Sequence, residues 1–150
     1  MDWVIFDLDG TLADISHRLH FIRSSEEKEN FKKDWNSFNS GIPEDKLKLP
    51  IAALHKMCFD NGYNIAIVTG RSKDYQVETI KWLMNNQIHF DEIHFRPAGN
   101  YHSDYIVKQE IYDKHFKERN VLFVVDDRDQ VVEMWRRNGV TCLQCQKGDY

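Results

Sequence analysis

A chain of 150 residues, 41% hydrophobic and 29% charged, is long enough to form one domain around its own core. Its net charge of −4 excludes a protein that holds nucleic acid by bulk positive charge, although a local basic cleft stays open. No apolar run approaches the roughly 18 residues of a membrane span, and Met1-Asp2-Trp3 lacks the basic start of a secretory signal. A soluble, cytoplasmic protein without a membrane partner is the expectation.

The first predicted strand is Trp3–Phe6, an apolar run that stops at Asp7. Residues 14–49 differ from the rest. Within them SSEEKENFKKDWNSF reads as an amphipathic helix capped by Ser24 or Ser25, with Phe31, Trp35 and Phe38 as its apolar stripe. That helix either packs on the domain or forms a small helical cap beside a site. SGIPEDK reads as a loop. A helix is expected over Ile51–Asn61 behind Pro50, with Ala52, Leu54, Met57 and Cys58 on its apolar side.

There follow a strand at Ile65–Val68 and a helix over Asp74–Asn86, whose Val77, Ile80, Leu83 and Met84 recur at helical spacing. A strand at Phe90–Phe95, a helix over Ser103–Arg119, a strand at Val121–Val125, a helix over Gln130–Asn138 and a strand at Val140–Leu143 complete the chain. This alternation predicts an α/β fold: a Rossmann-like parallel sheet with helices on both faces. VLFVV suits a strand buried on both sides. There is no internal repeat. Cys142 and Cys145 form a C-x-x-C, but no second pair exists and their neighbours read as strand, so they and Cys58 are expected to be reduced structural thiols. The histidines show no metal-ligand spacing.

In open α/β sheets, ligands bind beyond the carboxyl ends of the strands. Asp7, Asp9, Gly10 and Thr11 follow the first strand; Thr69, Gly70 and Arg71 follow the second; Asp126, Asp127 and Arg128 follow the fourth; Lys108 lies in the helix before it. Each has an ordinary reading. Asp-Gly makes turns, Asp127 or Asp129 could cap the next helix, and Lys108 could be a solvated helix residue. Together they gather acids, a hydroxyl and an ammonium at one edge.

Acids so gathered repel unless a cation joins them, and hard oxygen ligands suit Mg²⁺, which keeps waters and accepts a substrate phosphate. Asp7 is then placed as the nucleophile of an aspartyl-phosphate. Asp9, two residues on, lies on the same side of an extended chain and can protonate the leaving alcohol, then deprotonate water. Lys108 supplies a point charge, while Thr69 and nearby backbone N–H groups hold phosphoryl oxygens.

The order Asp7-Leu8-Asp9-Gly10-Thr11, Thr69, Lys108, Asp126-Asp127 resembles the four motifs of the haloacid dehalogenase superfamily, in its phosphatase branch. The resemblance implies a haloacid dehalogenase-like fold with a minimal cap, Mg²⁺ dependence and Asp7 as nucleophile. It also implies metal binding by the Asp7 carboxylate, the Asp9 backbone carbonyl and Asp126, with Asp127 assisting. Residues 104–112 and 126–150 are similar to the 3′-phosphatase domain of phage polynucleotide kinase/phosphatases. Arg18 and Arg71 stand where that family carries substrate-phosphate arginines, and Arg96 is a further candidate. The implied substrates are 3′-phosphorylated DNA or RNA ends, or nucleoside 3′-phosphates. No G-x-x-x-x-G-K-[ST] loop occurs, so no kinase half is expected, and the chain reads either as a stand-alone phosphatase or as an excised domain.

Only 61 residues separate Asp7 from Thr69, and 38 separate Thr69 from Lys108, which leaves no room for a large lid. An uncovered site admits a polymer end, and Arg18, Arg23, Lys32, Lys33 and Arg71 could form a cationic approach to it. The competing readings are a phosphatase of free nucleotides or other small phosphate esters, a phosphoryl-accepting receiver module, and an inactive protein that only binds ends. A receiver domain has its acid pair early and its acceptor later, the reverse of the order here.

Overall fold

The computed structural model describes residues 2–23 and 31–150. In chain order its strands and α-helices are β1 (Trp3–Phe6), β2 (Ala13–Asp14), α1 (Trp35–Ser40), β3 (Lys46–Leu47), α2 (Leu49–Asp60), β4 (Asn64–Ser72), α3 (Gln76–Asn85), β5 (Glu92–Arg96), α4 (Asp104–Ile111), β6 (Val121–Asp126), α5 (Asp129–Arg137) and β7 (Cys142–Gln144). Five strands pair in the order β5-β4-β1-β6-β7, all parallel. The expected α/β fold is present.

Strand periodicity divides the core in two. Val4 and Phe6 of β1 face one layer with Ile65, Ile67, Cys58 of α2 and Trp82 and Leu83 of α3. Ile5 faces the other with Ala66, Val68, Val107 of α4 and Val131 and Trp135 of α5. Both sides of the sheet are covered, which is why β1, β4 and β6 need apolar residues at consecutive positions.

Several element bounds differ from expectation for identifiable reasons. β4 continues past Val68 to Ser72, because the ladder resumes after a register shift and pairs Ser72 with Arg96. Thr69, Gly70 and Arg71 therefore lie on the strand's carboxyl end rather than in a turn beyond it. The helix expected over 103–119 is α4 followed by a wider π turn, Tyr112–Phe116, that seats fully buried Phe116 in the core. Residues 73–75 form a 3₁₀ turn ahead of α3, and the Ser72 hydroxyl accepts from Asp74 N at 3.1 Å.

The segment 14–49 departs most. The proposed caps Ser24 and Ser25 lie outside the described residues. The described α1 starts at Trp35, capped by Asp34, whose carboxylate accepts from Ser37 N at 3.1 Å. Of the expected apolar stripe only Phe38 is buried; Phe31 precedes the helix, and Trp35 is half exposed. A 3₁₀ turn covers Ser16–Phe21, and the two-residue ribbon β2–β3 ties the segment's ends together, Ala13 opposite Leu47. No described helix is long and apolar enough to cross a membrane. All three cysteines are free, and burial pushes the Cys142 thiol up to about 12, leaving it unreactive.

Candidate active site

The sheet's central strand delivers Asp7. Its N–H donates to Val125 O of β6 at 3.0 Å, so the chain is still held laterally where the carboxylate projects. The loop then turns sharply at Gly10, whose φ is +82°. A Cβ there would fall 2.1 Å from Asp127 Oδ2, so this position requires glycine for space as well as for conformation. The turn brings the Thr11 hydroxyl back to donate to Asp7 Oδ2 at 2.9 Å.

From the helix preceding β6, Lys108 Nζ donates to Asp7 Oδ1 at 2.8 Å and to Asp126 Oδ2 at 2.9 Å. Asp126 ends β6, and its second oxygen accepts from Asp127 N at 2.9 Å. Asp127 Oδ2 accepts from the Tyr150 hydroxyl at 2.5 Å. Asp127 Oδ1 is buried without a hydrogen-bond partner among the described residues. Asp7, Asp126 and Asp127 each present an oxygen, all within 4.8 Å of one another, and all three residues are buried.

Three carboxylates against one ammonium leave this floor short of positive charge. Burial, then Asp126 and Asp127, push the Asp7 carboxyl well above its usual range, against the pull of Lys108. Burial likewise raises Asp127. Burial opposes the Lys108 ammonium, yet Asp126 and Asp7 outweigh it and raise its pKa. An all-oxygen donor set, a charge deficit and an orphaned buried oxygen suit a hard divalent cation.

Asp9 belongs to a different cluster. Its backbone carbonyl stays beside the floor, 3.4 Å from the Tyr150 hydroxyl. Its side chain accepts from Arg18 Nη2 at 3.0 Å and from Arg71 Nε and Nη2 at 3.0 and 2.5 Å. Below them Asp45 takes Arg18 in a two-pronged pair at 2.8 Å, Arg71 Nη2 at 3.1 Å and His17 Nε2 at 2.7 Å. Phe38 lies 4.2 Å beneath the Arg18 guanidinium. Burial works against the ionised Asp9, but Arg71 and Arg18 outweigh it and hold the carboxyl below its usual range.

The sequence-predicted residues thus fall into distinct places. Asp7, Lys108, Asp126 and Asp127 meet at the floor. Asp9, Arg18 and Arg71 form the clamp beside it, both guanidiniums buried and engaged by carboxylates. Thr69 is buried, its hydroxyl accepting from Arg71 N at 3.1 Å. Gly70 lies against Asp104; a Cβ would come within 2.7 Å of that carboxylate. Arg96 donates to Gly70 O at 2.8 Å and pairs with Asp104, which also takes Arg128 at 2.7 Å. Neither Asp127 nor Asp129 caps α5, which follows Arg128 without a side-chain cap.

Sequence reasoning missed Asp45 and the Tyr150 hydroxyl. Asp45 sits in SGIPEDK, where nothing local separates it from a solvated loop acid. Tyr150 falls in a stretch that reads mainly as core packing.

Asp7, Asp9, Arg71, Lys108, Asp126, Asp127 and Tyr150 line a cleft of about 940 Å³ whose wall also includes Trp35, Tyr75 and Tyr101, while Arg18, Asp45 and Thr69 lie behind it. Residues 1–150 match the family model described as the polynucleotide kinase PNKP phosphatase domain. A chain in the structure of the Pnkp1/Rnl/Hen1 RNA repair complex is 31% identical and superposes with a TM-score of 0.80, covering 99% of this chain and 43% of that one. A protein of Autographa californica nuclear polyhedrosis virus, named for polynucleotide kinase and RNA ligase functions, is 26% identical over 141 residues, 89% of this chain and 17% of its own length. The chain therefore spans less than half of either relative. A haloacid dehalogenase-like hydrolase from Streptococcus pneumoniae, 21% identical with a TM-score of 0.67 over 96% of this chain and 84% of that one, shares the fold. The chain belongs to the PNKP phosphatase-domain family of haloacid dehalogenase-like hydrolases, and it is a phosphatase.

Proposed function

We propose that this phosphatase is a Mg²⁺-dependent phosphomonoesterase that removes 3′-phosphates from polynucleotide ends or from nucleoside 3′-phosphates. The observation that carries the reading is the floor: three buried carboxylates within 4.8 Å, joined by Lys108, at the end of the central strand. Asp7, Asp126, Asp127 and the Asp9 carbonyl are the residues that would hold Mg²⁺. A cation held there would supply the positive charge that lets a phosphate approach these carboxylates.

Asp7 Oδ attacks phosphorus; that bond forms as the ester P–O bond breaks, giving the aspartyl-phosphate. Thr11 and Lys108 orient the attacking carboxylate. Asp9, held ionised by Arg71 and Arg18 in the free enzyme, must take up a proton as the phosphate draws on those arginines, and gives that proton to the leaving alcohol oxygen. It then takes one from the water that attacks phosphorus and frees Asp7. Lys108 stabilises negative charge on the transferring group, and the Thr69 hydroxyl and Gly70 backbone provide further phosphate contacts. Arg18 and Arg71 already hold Asp9, so a phosphate that they bind must share them with it. The described parts of the 14–49 segment, 14–23 and 31–49, act as a small cap at one side of the cleft, leaving a polymer end free to enter.

The test is phosphate release, with Mg²⁺ and with EDTA, from 3′-phosphorylated DNA and RNA, their 5′-phosphorylated counterparts, nucleoside 3′-phosphates and sugar phosphates. Release confined to Mg²⁺ and strongest from 3′-phosphates is expected. Equal turnover of sugar phosphates would overturn the substrate assignment, and full activity in EDTA the metal assignment.

A further inference from the structure

The cleft is much larger than a phosphoryl group, and its chemistry changes from floor to rim. The floor is acidic. The rim carries Arg23, Lys33 and Arg128 together with aromatic side chains, and its volume of about 940 Å³ can enclose a nucleoside as well as its phosphate.

Two of those aromatics leave half or more of their surface exposed. Helix α1 is six residues long and buries Phe38 against the core, whereas Trp35, three positions earlier, leaves 51% of its surface exposed. Phe38 meets the Trp35 ring edge-on at 5.7 Å, so it braces the indole without covering both faces. Lys33 Nζ sits 5.6 Å above the ring. Tyr101, in the loop before α4, is 95% exposed and lines the same cleft. Exposed Leu49, Met57, Phe59 and Leu122 do not line it.

We infer that Trp35 is a stacking platform for the nucleobase of the residue that bears the scissile phosphate, with Tyr101 a second aromatic surface on the facing loop. The inference rests on the nucleotide reading of the substrate. Stacking suits an enzyme that meets many different ends, because every base offers a π face whatever its sequence. Lys33 on the rim offers a cation to the phosphodiester next to the scissile phosphate, and Arg23 and Arg128 can reach it by exchanging their partners Asp149 and Asp104. The platform also sits on the segment least like the rest of the fold, where its position does not constrain the catalytic floor.

The experiment compares wild type, W35A, W35F and Y101A on two matched substrates: a 3′-phosphorylated oligonucleotide, and the same oligonucleotide with an abasic residue at the phosphorylated end. Because Trp82 and Trp135 are buried, and half-buried Trp3 lies at the start of β1 beneath Arg119 and outside the cleft, the part of the tryptophan quenching by the oligonucleotide in a D7N background that W35F removes reports occupancy of the platform. W35A should raise KM for the base-bearing end about tenfold while changing kcat by less than about twofold. W35F should restore most of the loss, and the abasic end should be indifferent to all three. Y101A should give a smaller rise.

If wild type fails to prefer the base-bearing end, the nucleotide reading itself fails. If wild type prefers it and W35A keeps the whole preference, only the platform is wrong. A loss in W35A that is equal on both ends, or quenching undiminished by W35F, overturns the platform as well. Trp35 is solvent-exposed, so unchanged melting curves separate these outcomes from misfolding.

Discussion

Two acidic clusters lie side by side in this cleft and obey opposite electrostatic logic. At the floor, Asp7, Asp126 and Asp127 face a single Lys108. In the clamp, Asp9 and Asp45 face Arg18 and Arg71, acid for base. The clamp is satisfied within itself and resists change. The floor is left short of positive charge, which is why the proposed function places a cation and a phosphate there. Apart from the partly exposed Asp9, burial is similar in the two; the charge balance is what separates them.

The comparison can be broken most sharply at its centre. D7N should lower turnover by roughly 10⁴-fold or more, because an amide is neither nucleophile nor good metal ligand. Steady-state phosphate release measures it, and near-wild-type activity would remove Asp7 from its role.

The next test sets stability in one cluster against stability in the other. D45N leaves two buried guanidiniums undercompensated and should cost about 3–5 kcal/mol, read as a fall in Tm. D127N in EDTA should instead keep or raise Tm, because it relieves like-charge repulsion at the floor. Equal destabilisation by both would erase the distinction drawn between them.

A finer probe is Y150F, which removes one hydroxyl from Asp127 Oδ2 and from the Asp9 carbonyl. It should weaken Mg²⁺ binding by roughly tenfold with little change in kcat at saturating metal. A Mg²⁺ titration of Tm reads this without turnover, and an unchanged midpoint would show that the hydroxyl does not orient the floor.

The smallest effect lies outside both clusters. His55 Nε2 is 2.7 Å from His89 O, and burial lowers its pKa below the ordinary 6.5. Between those values the unfolded chain binds the extra proton, so this contribution falls as pH drops through 6.5 and is spent at the folded value. H55Q should flatten the Tm–pH curve there without altering the contrast between floor and clamp.

The floor was legible in the sequence because its residues sit where apolar strands stop, and strand ends are easy to find. Lys108 was legible only in company with them, since alone it looks like any helix lysine. The clamp was half legible. Arg18 and Arg71 stood out by family resemblance, but their partner Asp45 lies 27 residues from Arg18, in a loop with no periodicity to mark it. The side-chain direction of Asp9 was equally hidden, because a carboxylate between two arginines and a cation site turns according to tertiary distances. In the fold, the parallel order followed from β-rich runs between helices. The β2–β3 ribbon did not, because two-residue strands carry no pattern, nor did the start of α1 at Trp35, where Asp34 supplies the cap.

That ribbon has an evolutionary consequence. Ala13 and Leu47 pin the segment between them like the ends of a handle, while Asp7 is anchored in the middle of five hydrogen-bonded strands. Lengthening the stretch between Arg18 and Asp45 would add only slowly growing loop entropy, whereas replacing either of those two residues would release the clamp on Asp9. A phosphatase built this way can acquire a new clientele by varying the surface between those two anchors.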